Sequence, residues 1–311
     1  MFRIIVCICV SVFALYAKPT VTVSILPQQY MVEKIAGSSV DVLVMVSPNA
    51  NHETYEPKPS QMKLLAKSDI YFSIGLPFER VWLERFITAS PKMSIIDTGR
   101  KVEKIELLEH NHAHHDEHAD HEDEHDEHEE HTTHHDHDHD EEHAAHHEHD
   151  EDELDPHIWL DPVLVKVQAK TISDALSSKY PQNAALYAKN YESFAKELDE
   201  LDAKLAKKLG TLKNRSFFVF HPSWGYFAKR YGLEQIFIEV EGREPKAAEL
   251  IEILKTAKAK NIKALLVEPQ VSEKNAKIAA DEIGAKIVKA DPVKKDLIKN
   301  LDELADMLLE F

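Results

Sequence analysis

The sequence predicts an α/β protein with two four-stranded parallel sheets, each of the (β/α)4 type, joined by a long rigid helix. Short apolar or β-branched segments alternate with helical segments through both halves of the 311-residue chain. Such alternation is typical of right-handed parallel sheets. A single long apolar stripe over residues 182–209 separates the two halves. One continuous sheet is the alternative that this pattern leaves open.

The first half contains four predicted strands separated by helices. Residues 40–47, VDVLVMVS, are nearly all apolar, as expected for a parallel strand covered on both faces. Residues 28–37 show a helical pattern that ends at a glycine, a common helix stop. Strands are predicted over 20–27, 40–47, 69–75 and 92–97, and helices over 28–37, 60–68 and 79–88.

The linking helix is predicted over 182–209, after a helix over 162–179 that begins with a proline. Its apolar residues recur at spacings of three, four and seven, which make one stripe along a helix. They are Leu186, Tyr187, Tyr191, Phe194, Leu198, Leu201, Leu205 and Leu209. At 1.5 Å per residue this helix spans about 42 Å, enough to connect two domains.

The second half repeats the pattern of the first. Strands are predicted over 216–221, 235–240, 263–269 and 286–291, and helices over 225–231, 245–260, 272–283 and 296–310. We therefore expect an N-terminal domain over 18–181, the linking helix over 182–210 and a C-terminal domain over 211–311.

Residues 1–17 have the layout of a secretory signal peptide, with one early arginine, an apolar run over 4–15 and a small residue at Ala17. The run is too short to span a membrane; a buried first strand is the alternative. The only cysteines, Cys7 and Cys9, lie in this segment. We therefore expect a mature, periplasmic, monomeric protein without disulfides.

The segment 109–153 differs sharply from the rest of the chain. It holds seventeen of the twenty histidines, twenty-one Asp and Glu and no Lys or Arg, so it accounts for the net charge of −18. Such a segment cannot bury enough apolar surface to offset its ordering entropy, and we expect a mobile loop. Imidazoles and carboxylates suit zinc. Secondary zinc sites are predicted at His110, His112, His114, His115, His134, His135, His137 and His139.

Only three histidines lie outside this segment: His52, His157 and His221. His52 follows a predicted strand, His221 ends one, and His157 follows the His-rich insert over 109–153. The carboxyl ends of parallel strands are where open α/β sheets bind ligands. Asp291, at the end of the last predicted strand, has the same location. Three imidazoles and one carboxylate make a complete tetrahedral set for zinc.

Other polar and aromatic residues near these positions have several interpretations. Asp291 precedes a proline and could instead be a turn residue. Glu268 also ends a predicted strand, and we favour a structural role or a hydrogen bond to a ligating imidazole. Trp159 and Trp224 each follow a candidate histidine, and we expect them to pack around the site and exclude water.

Four segments resemble the metal-binding class of solute-binding proteins that serve bacterial ABC importers, and specifically its zinc-binding ZnuA type. They are NHETYEPKPSQMKLLAKSDI, DPHIWLDP, FHPSWGYFAKRYG and VEPQVSEKNAKIAADEIGAKIVKADP. The resemblance implies that His52, His157 and His221 bind zinc and that Asp291 is a fourth ligand, although some zinc members use water or another carboxylate. It also implies two lobes with limited relative motion. An acidic, His-rich insert is typical of the zinc subgroup.

The function implied is a periplasmic high-affinity receptor that delivers Zn²⁺ to an inner-membrane ABC permease, while the loop gathers zinc or senses its supply. Three nitrogen donors favour zinc over manganese. The alternatives are a zinc buffer or storage protein, a receptor for manganese or another divalent metal, and a zinc hydrolase. The last is disfavoured because no nucleophile is obvious in the sequence and a ligating Asp291 would close the fourth position of the metal. The charge distribution argues against nucleic acid and membrane partners.

Overall fold

Two separate four-stranded sheets form the framework, and all their strands are parallel. The computed structural model describes residues 18–107, 154–239 and 245–311. The predicted fold class is confirmed, and the alternative of one continuous sheet is wrong. The predicted signal peptide and the predicted zinc-gathering loop lie outside the described residues.

The first sheet has the strand order β2-β1-β3-β4. Its strands are β1 (Thr20–Val23), β2 (Asp41–Val44), β3 (Ser68–Ser73) and β4 (Ser94–Asp97). Its helices are α1 (Leu26–Ala36), α2 (Pro59–Leu65) and α3 (Pro77–Ala89). Strand β1 is shorter than predicted, because Pro27 fits the first turn of α1 and the helix begins there.

The second sheet has the equivalent order β6-β5-β7-β8. Its strands are β5 (Ser216–Val219), β6 (Glu234–Phe237), β7 (Ala264–Val267) and β8 (Lys286–Lys289). Its helices are α6 (Gly225–Tyr231), α7 (Ala247–Ala259), α8 (Glu273–Ile283) and α9 (Leu297–Leu309). The central strands β5 and β7 are buried almost throughout, as expected for strands covered on both faces. The strand predicted to be covered in this way, β2, is instead an edge strand of the first sheet and is only partly buried.

Helices α4 (Pro162–Lys179) and α5 (Ala184–Leu209) connect the sheets. The predicted long helix begins two residues late, because Pro181–Asn183 forms a 3₁₀ turn. Six of its eight predicted stripe residues are buried, but Leu186 is 45% exposed. The helix packs against α1 and α4 of the first half and against α6 and α9 of the second. It therefore joins the two halves, as predicted.

One hydrophobic core runs through both halves of the molecule. Buried side chains of the first sheet, of α4 and α5, and of α6 and α9 form a single contact cluster, and a smaller cluster lies between the second sheet and helices α7 and α8. Polar contacts also cross between the halves. Trp159 Nε1 donates to the Pro292 carbonyl at 2.7 Å, and Arg230 Nε donates to Asp161 at 2.9 Å. Within the part of the chain that is described, no helix could cross a membrane.

Candidate metal centre

His52 and Glu53 occupy the loop that follows β2. Only 1% of the His52 surface is exposed. The Asn51 side chain accepts hydrogen bonds from the backbone amides of Glu53 and Thr54, at 2.8 and 3.2 Å. This local turn fixes the backbone that carries both candidate donors.

His157 lies in the short segment between the insert and α4, and it is completely buried. The Asp155 carboxylate accepts from the backbone amide of His157 at 2.8 Å and from its Nδ1 at 2.7 Å. An ionised carboxylate can only accept, so Nδ1 carries the proton and the lone pair of Nε2 is free to bind a metal. The Trp159 ring centroid lies 5.1 Å from that of His157 and 5.8 Å from that of His52, so Trp159 packs against the site as predicted.

His221 follows β5 and is oriented in the same way as His157. Its Nδ1 donates to Oε2 of Glu239 at 2.6 Å, and Glu239 lies just beyond the neighbouring strand β6. Nε2 of His221 lies 3.3 Å from Oε1 of Glu53 without the alignment of a hydrogen bond. Each of these two histidines therefore has a carboxylate on Nδ1 and turns Nε2 toward a common point.

The three histidines and Glu53 form one compact group. Their donor atoms all lie within 4.8 Å of one another, and no other group of this kind occurs among the described residues. Nε2 of His52 lies 3.0 Å from Nε2 of His157. Donors bound to one tetrahedral zinc at 2.0 to 2.1 Å are about 3.3 Å apart. The observed spacings lie between 3.0 Å and at most 4.8 Å, on both sides of this value, so a zinc ion fits after small adjustments of the donor atoms.

The electrostatics of the group favour metal over protons at His52. Burial, together with the neighbouring His157, lowers the pKa of His52 to about 3. Burial raises the pKa of Glu53, but its contact with His221 outweighs burial and the pKa falls to about 2. Neutral imidazole and ionised carboxylate are the forms that bind metal ions.

His221 carries the strongest interaction with carboxylates. Burial lowers its pKa, but Glu239 and Glu53 outweigh burial, so the pKa is raised well above the usual value. In the absence of metal a proton on His221 is therefore stabilised by the same two carboxylates that would balance the charge of a cation.

The structure does not bring Asp291 into this group. Its Oδ1 accepts from the backbone amide of Val293 at 2.9 Å, as in the turn that was the alternative interpretation. It lines a separate cavity of about 230 Å³ with Trp224, Lys294 and Asn300. Glu53 takes the place in the group that the sequence assigned to Asp291.

Glu268 lies beside the site but makes other contacts. Its carboxylate accepts from Ser223 Oγ and from Gln270 Nε2, and burial raises its pKa. It lines a polar cavity of about 200 Å³ together with His52, His221 and Glu239. The eight loop histidines predicted as secondary sites lie outside the described residues.

Sequence reasoning missed Glu53, Asp155 and Glu239. Asp155 had a usable signal, because it lies two residues before His157, whereas Glu239 is the last residue but one of the predicted strand 235–240 and nothing local links it to His221. No sequence signal distinguishes Glu53 from the other acidic loop residues.

Comparison with known proteins shows the family of the chain. The model for the zinc-uptake complex component A, periplasmic (ZnuA), matches residues 21–310. The chain belongs to the ZnuA family.

Two curated relatives are similar in sequence to part or most of the chain. The high-affinity zinc uptake system protein ZnuA of Bacillus subtilis is 34% identical over 172 residues, covering 50% of this chain and 54% of that protein. A putative metal-binding protein of Chlamydia muridarum is 24% identical over 286 residues, covering 92% and 88%.

Solved structures agree with the fold. A crystal structure of ZnuA has a TM-score of 0.79 and 37% identity, covering 94% of this chain and 99% of that chain. A ZnuA deletion mutant lacking residues 138–173, with zinc bound, has a TM-score of 0.78 at 37% identity and covers 94% and 97%. A Mn²⁺ complex of the solute-binding protein FpvC from Pseudomonas aeruginosa shares the fold alone, with 20% identity and a TM-score of 0.69.

Proposed function

We propose that this protein is a high-affinity zinc receptor that captures one Zn²⁺ ion with His52, His157, His221 and Glu53 and delivers it to an ABC permease. The observation that carries the proposal is the buried group of three imidazole nitrogens and one carboxylate oxygen within 4.8 Å. Three nitrogens and one oxygen form a tetrahedral zinc set. Membership of the zinc-uptake family supports the same cargo.

The donor set supports zinc rather than manganese as the cargo. Imidazole suits zinc, whereas carboxylate, carbonyl and water oxygens suit manganese. The nitrogens are also fixed in place, because Asp155 and Glu239 orient two of the three rings. A rigid, nitrogen-rich, four-donor site resists the larger oxygen-rich coordination shell that manganese prefers.

A receptor role is favoured over a hydrolase role by the composition of the group. A catalytic zinc site has three protein ligands and an open position for water. Here Glu53 stands in the fourth position, and the site is buried. Zinc is thus cargo, and the family is one of solute-binding receptors.

The sequence supplies the remaining parts of the proposal. The layout of residues 1–17 supports export to the periplasm, where an inner-membrane permease would receive the ion. The His-rich segment 109–153 would gather additional zinc weakly and raise its concentration near the centre. A zinc-bound relative that lacks residues 138–173 supports a principal site that does not depend on an insert.

Growth under zinc chelation tests the receptor function. A strain lacking this gene should grow poorly in chelator, and the wild-type gene should restore growth when zinc is scarce. The triple variant His52→Ala, His157→Ala, His221→Ala should not restore it, although the protein is exported in equal amount. Restoration by the triple variant, or rescue of the strain by manganese but not by zinc, would contradict the proposal.

A further inference from the structure

We propose that Gly225 and Tyr226 are positioning residues for the metal centre: they seat the Asp155 carboxylate, and Asp155 sets the orientation and tautomer of His157. Both residues belong to α6 of the second half, and neither is one of the four donors. The inference rests on the proposed function, and it assigns part of the zinc affinity to packing between the two halves.

Only one of the two carboxylate oxygens of Asp155 accepts hydrogen bonds. Asp155 is 1% exposed. Its Oδ1 accepts both the backbone amide and the Nδ1 proton of His157. Its Oδ2 is buried and has no hydrogen-bond partner in the described ranges. Hydrogen bonds therefore do not fix the second oxygen, and the packing around it must determine where the carboxylate lies.

Gly225 provides the space for that second oxygen. A Cβ atom at this position would lie 2.7 Å from Oδ2 of Asp155 and 3.6 Å from Cδ1 of Ile105. The first distance is shorter than a van der Waals contact allows, so any larger residue would push the carboxylate away. Since the carboxylate holds His157 through Oδ1, its displacement would turn the imidazole.

Tyr226 fixes the backbone of Asp155. Its hydroxyl donates to the Asp155 carbonyl at 2.9 Å and accepts from the Ile105 amide at 3.1 Å. The Asp155 amide in turn donates to the Ile105 carbonyl at 2.9 Å. Tyr226 is 3% exposed. The three residues therefore form a closed, buried ring of hydrogen bonds two residues from a candidate metal ligand.

Groups that orient a metal-bound imidazole influence the affinity of the site for the metal. Loss of such an outer partner costs about 10- to 100-fold in metal affinity. Gly225 and Tyr226 act one step further out, through Asp155. We expect Gly225→Ala to weaken zinc binding by about 10- to 100-fold and Tyr226→Phe to weaken it by about tenfold.

Zinc competition with a chromogenic chelator tests the inference, with Tyr231→Phe as the matched control. Tyr231 is on the same helix, and its hydroxyl donates to Asp202 of α5 at 3.0 Å. Both tyrosine variants lose one hydroxyl that bonds α6 to another segment of the chain, but only Tyr226 is connected to Asp155. The control should keep wild-type affinity. In ¹⁵N-labelled protein, the His157 ring signals should shift in Tyr226→Phe and not in Tyr231→Phe.

A double-variant comparison separates positioning from general destabilisation. In an Asp155→Ala background the clash at Gly225 is absent, so Gly225→Ala should add little further loss. An equal additional loss there, or wild-type zinc affinity in both Gly225→Ala and Tyr226→Phe, would overturn the inference. If wild-type protein itself has no tight zinc site, the proposed function fails instead. Tyr226→Phe is nearly isosteric and keeps the test decisive if Gly225→Ala does not fold.

Discussion

The contrast between Glu53 and Asp291 shows that the direction of a side chain determines which carboxylate can act as the fourth donor of the candidate centre. Both are acidic residues in loops beyond strands of the sheets. Glu53 directs an oxygen toward His221 at 3.3 Å, whereas Asp291 turns back to its own backbone at Val293. The carboxyl-end rule predicts the neighbourhood of such residues, but it does not predict where a side chain points.

Replacing these two carboxylates one at a time should give opposite results. Glu53→Gln should weaken zinc binding at least about tenfold, because loss of a direct anionic donor should cost no less than loss of an outer partner. Asp291→Asn should leave the affinity unchanged, because the amide oxygen still accepts from Val293. Competition against a zinc chelator measures both. Unchanged affinity in Glu53→Gln together with a loss in Asp291→Asn would restore Asp291 as the fourth ligand.

The two carboxylates that accept from the histidine Nδ1 atoms, Asp155 and Glu239, were also not predicted. Glu239 meets His221 because β5 and β6 are neighbours in the sheet, and the order of strands cannot be read from the local pattern. Asp155 was within reach of sequence reasoning, because it lies two residues from His157. The three histidines themselves were predictable, since each follows a strand or the insert and no other histidine lies outside the loop.

At the scale of elements, α5 links the two halves through a buried apolar stripe. Leu198 and Leu205 are fully buried, whereas Leu186 is 45% exposed. The sequence predicted the stripe from its spacing, but it also assigned Leu186 to it. Leu186 lies in the first turn of α5, next to the buried Tyr187. Adjacent residues of a helix point about 100° apart, so burial of Tyr187 leaves Leu186 at the edge of the stripe.

Matched leucine substitutions in α5 should differ strongly in their effect on stability. Leu198→Ala should lower the free energy of unfolding by about 2 to 5 kcal/mol, because it removes buried methyl groups and leaves a cavity. Leu186→Ala should change it by less than about 0.5 kcal/mol, as is usual at exposed positions. Urea unfolding of the metal-free protein, followed by circular dichroism, measures both. Equal effects at the two positions would contradict the assigned burial of the helix.

At the scale of the whole molecule, the two sheets share the larger hydrophobic core and one candidate metal centre. The donors come from loops of both halves: His52 and Glu53 after β2, His157 before α4, and His221 after β5. The periodicity of the sequence predicted the two sheets and the order of their elements, because apolar strands and striped helices have distinct spacings. The observed element boundaries differ from the predicted ones where a proline lies in the first turn of a helix or begins a 3₁₀ turn. Such boundaries depend on local backbone geometry, which hydrophobic periodicity does not report.

The central claim is that selective zinc binding belongs to the three histidines outside the His-rich segment. Calorimetric titration with zinc tests it directly, using protein from residue 18 onward, a deletion of residues 109–153, and the triple alanine variant of His52, His157 and His221. Circular dichroism should first show that all three are folded. We expect the deletion to keep one tight zinc and lose the weaker ions, and the triple variant to do the reverse. A tight site that disappears with the segment and survives in the triple variant would contradict the account.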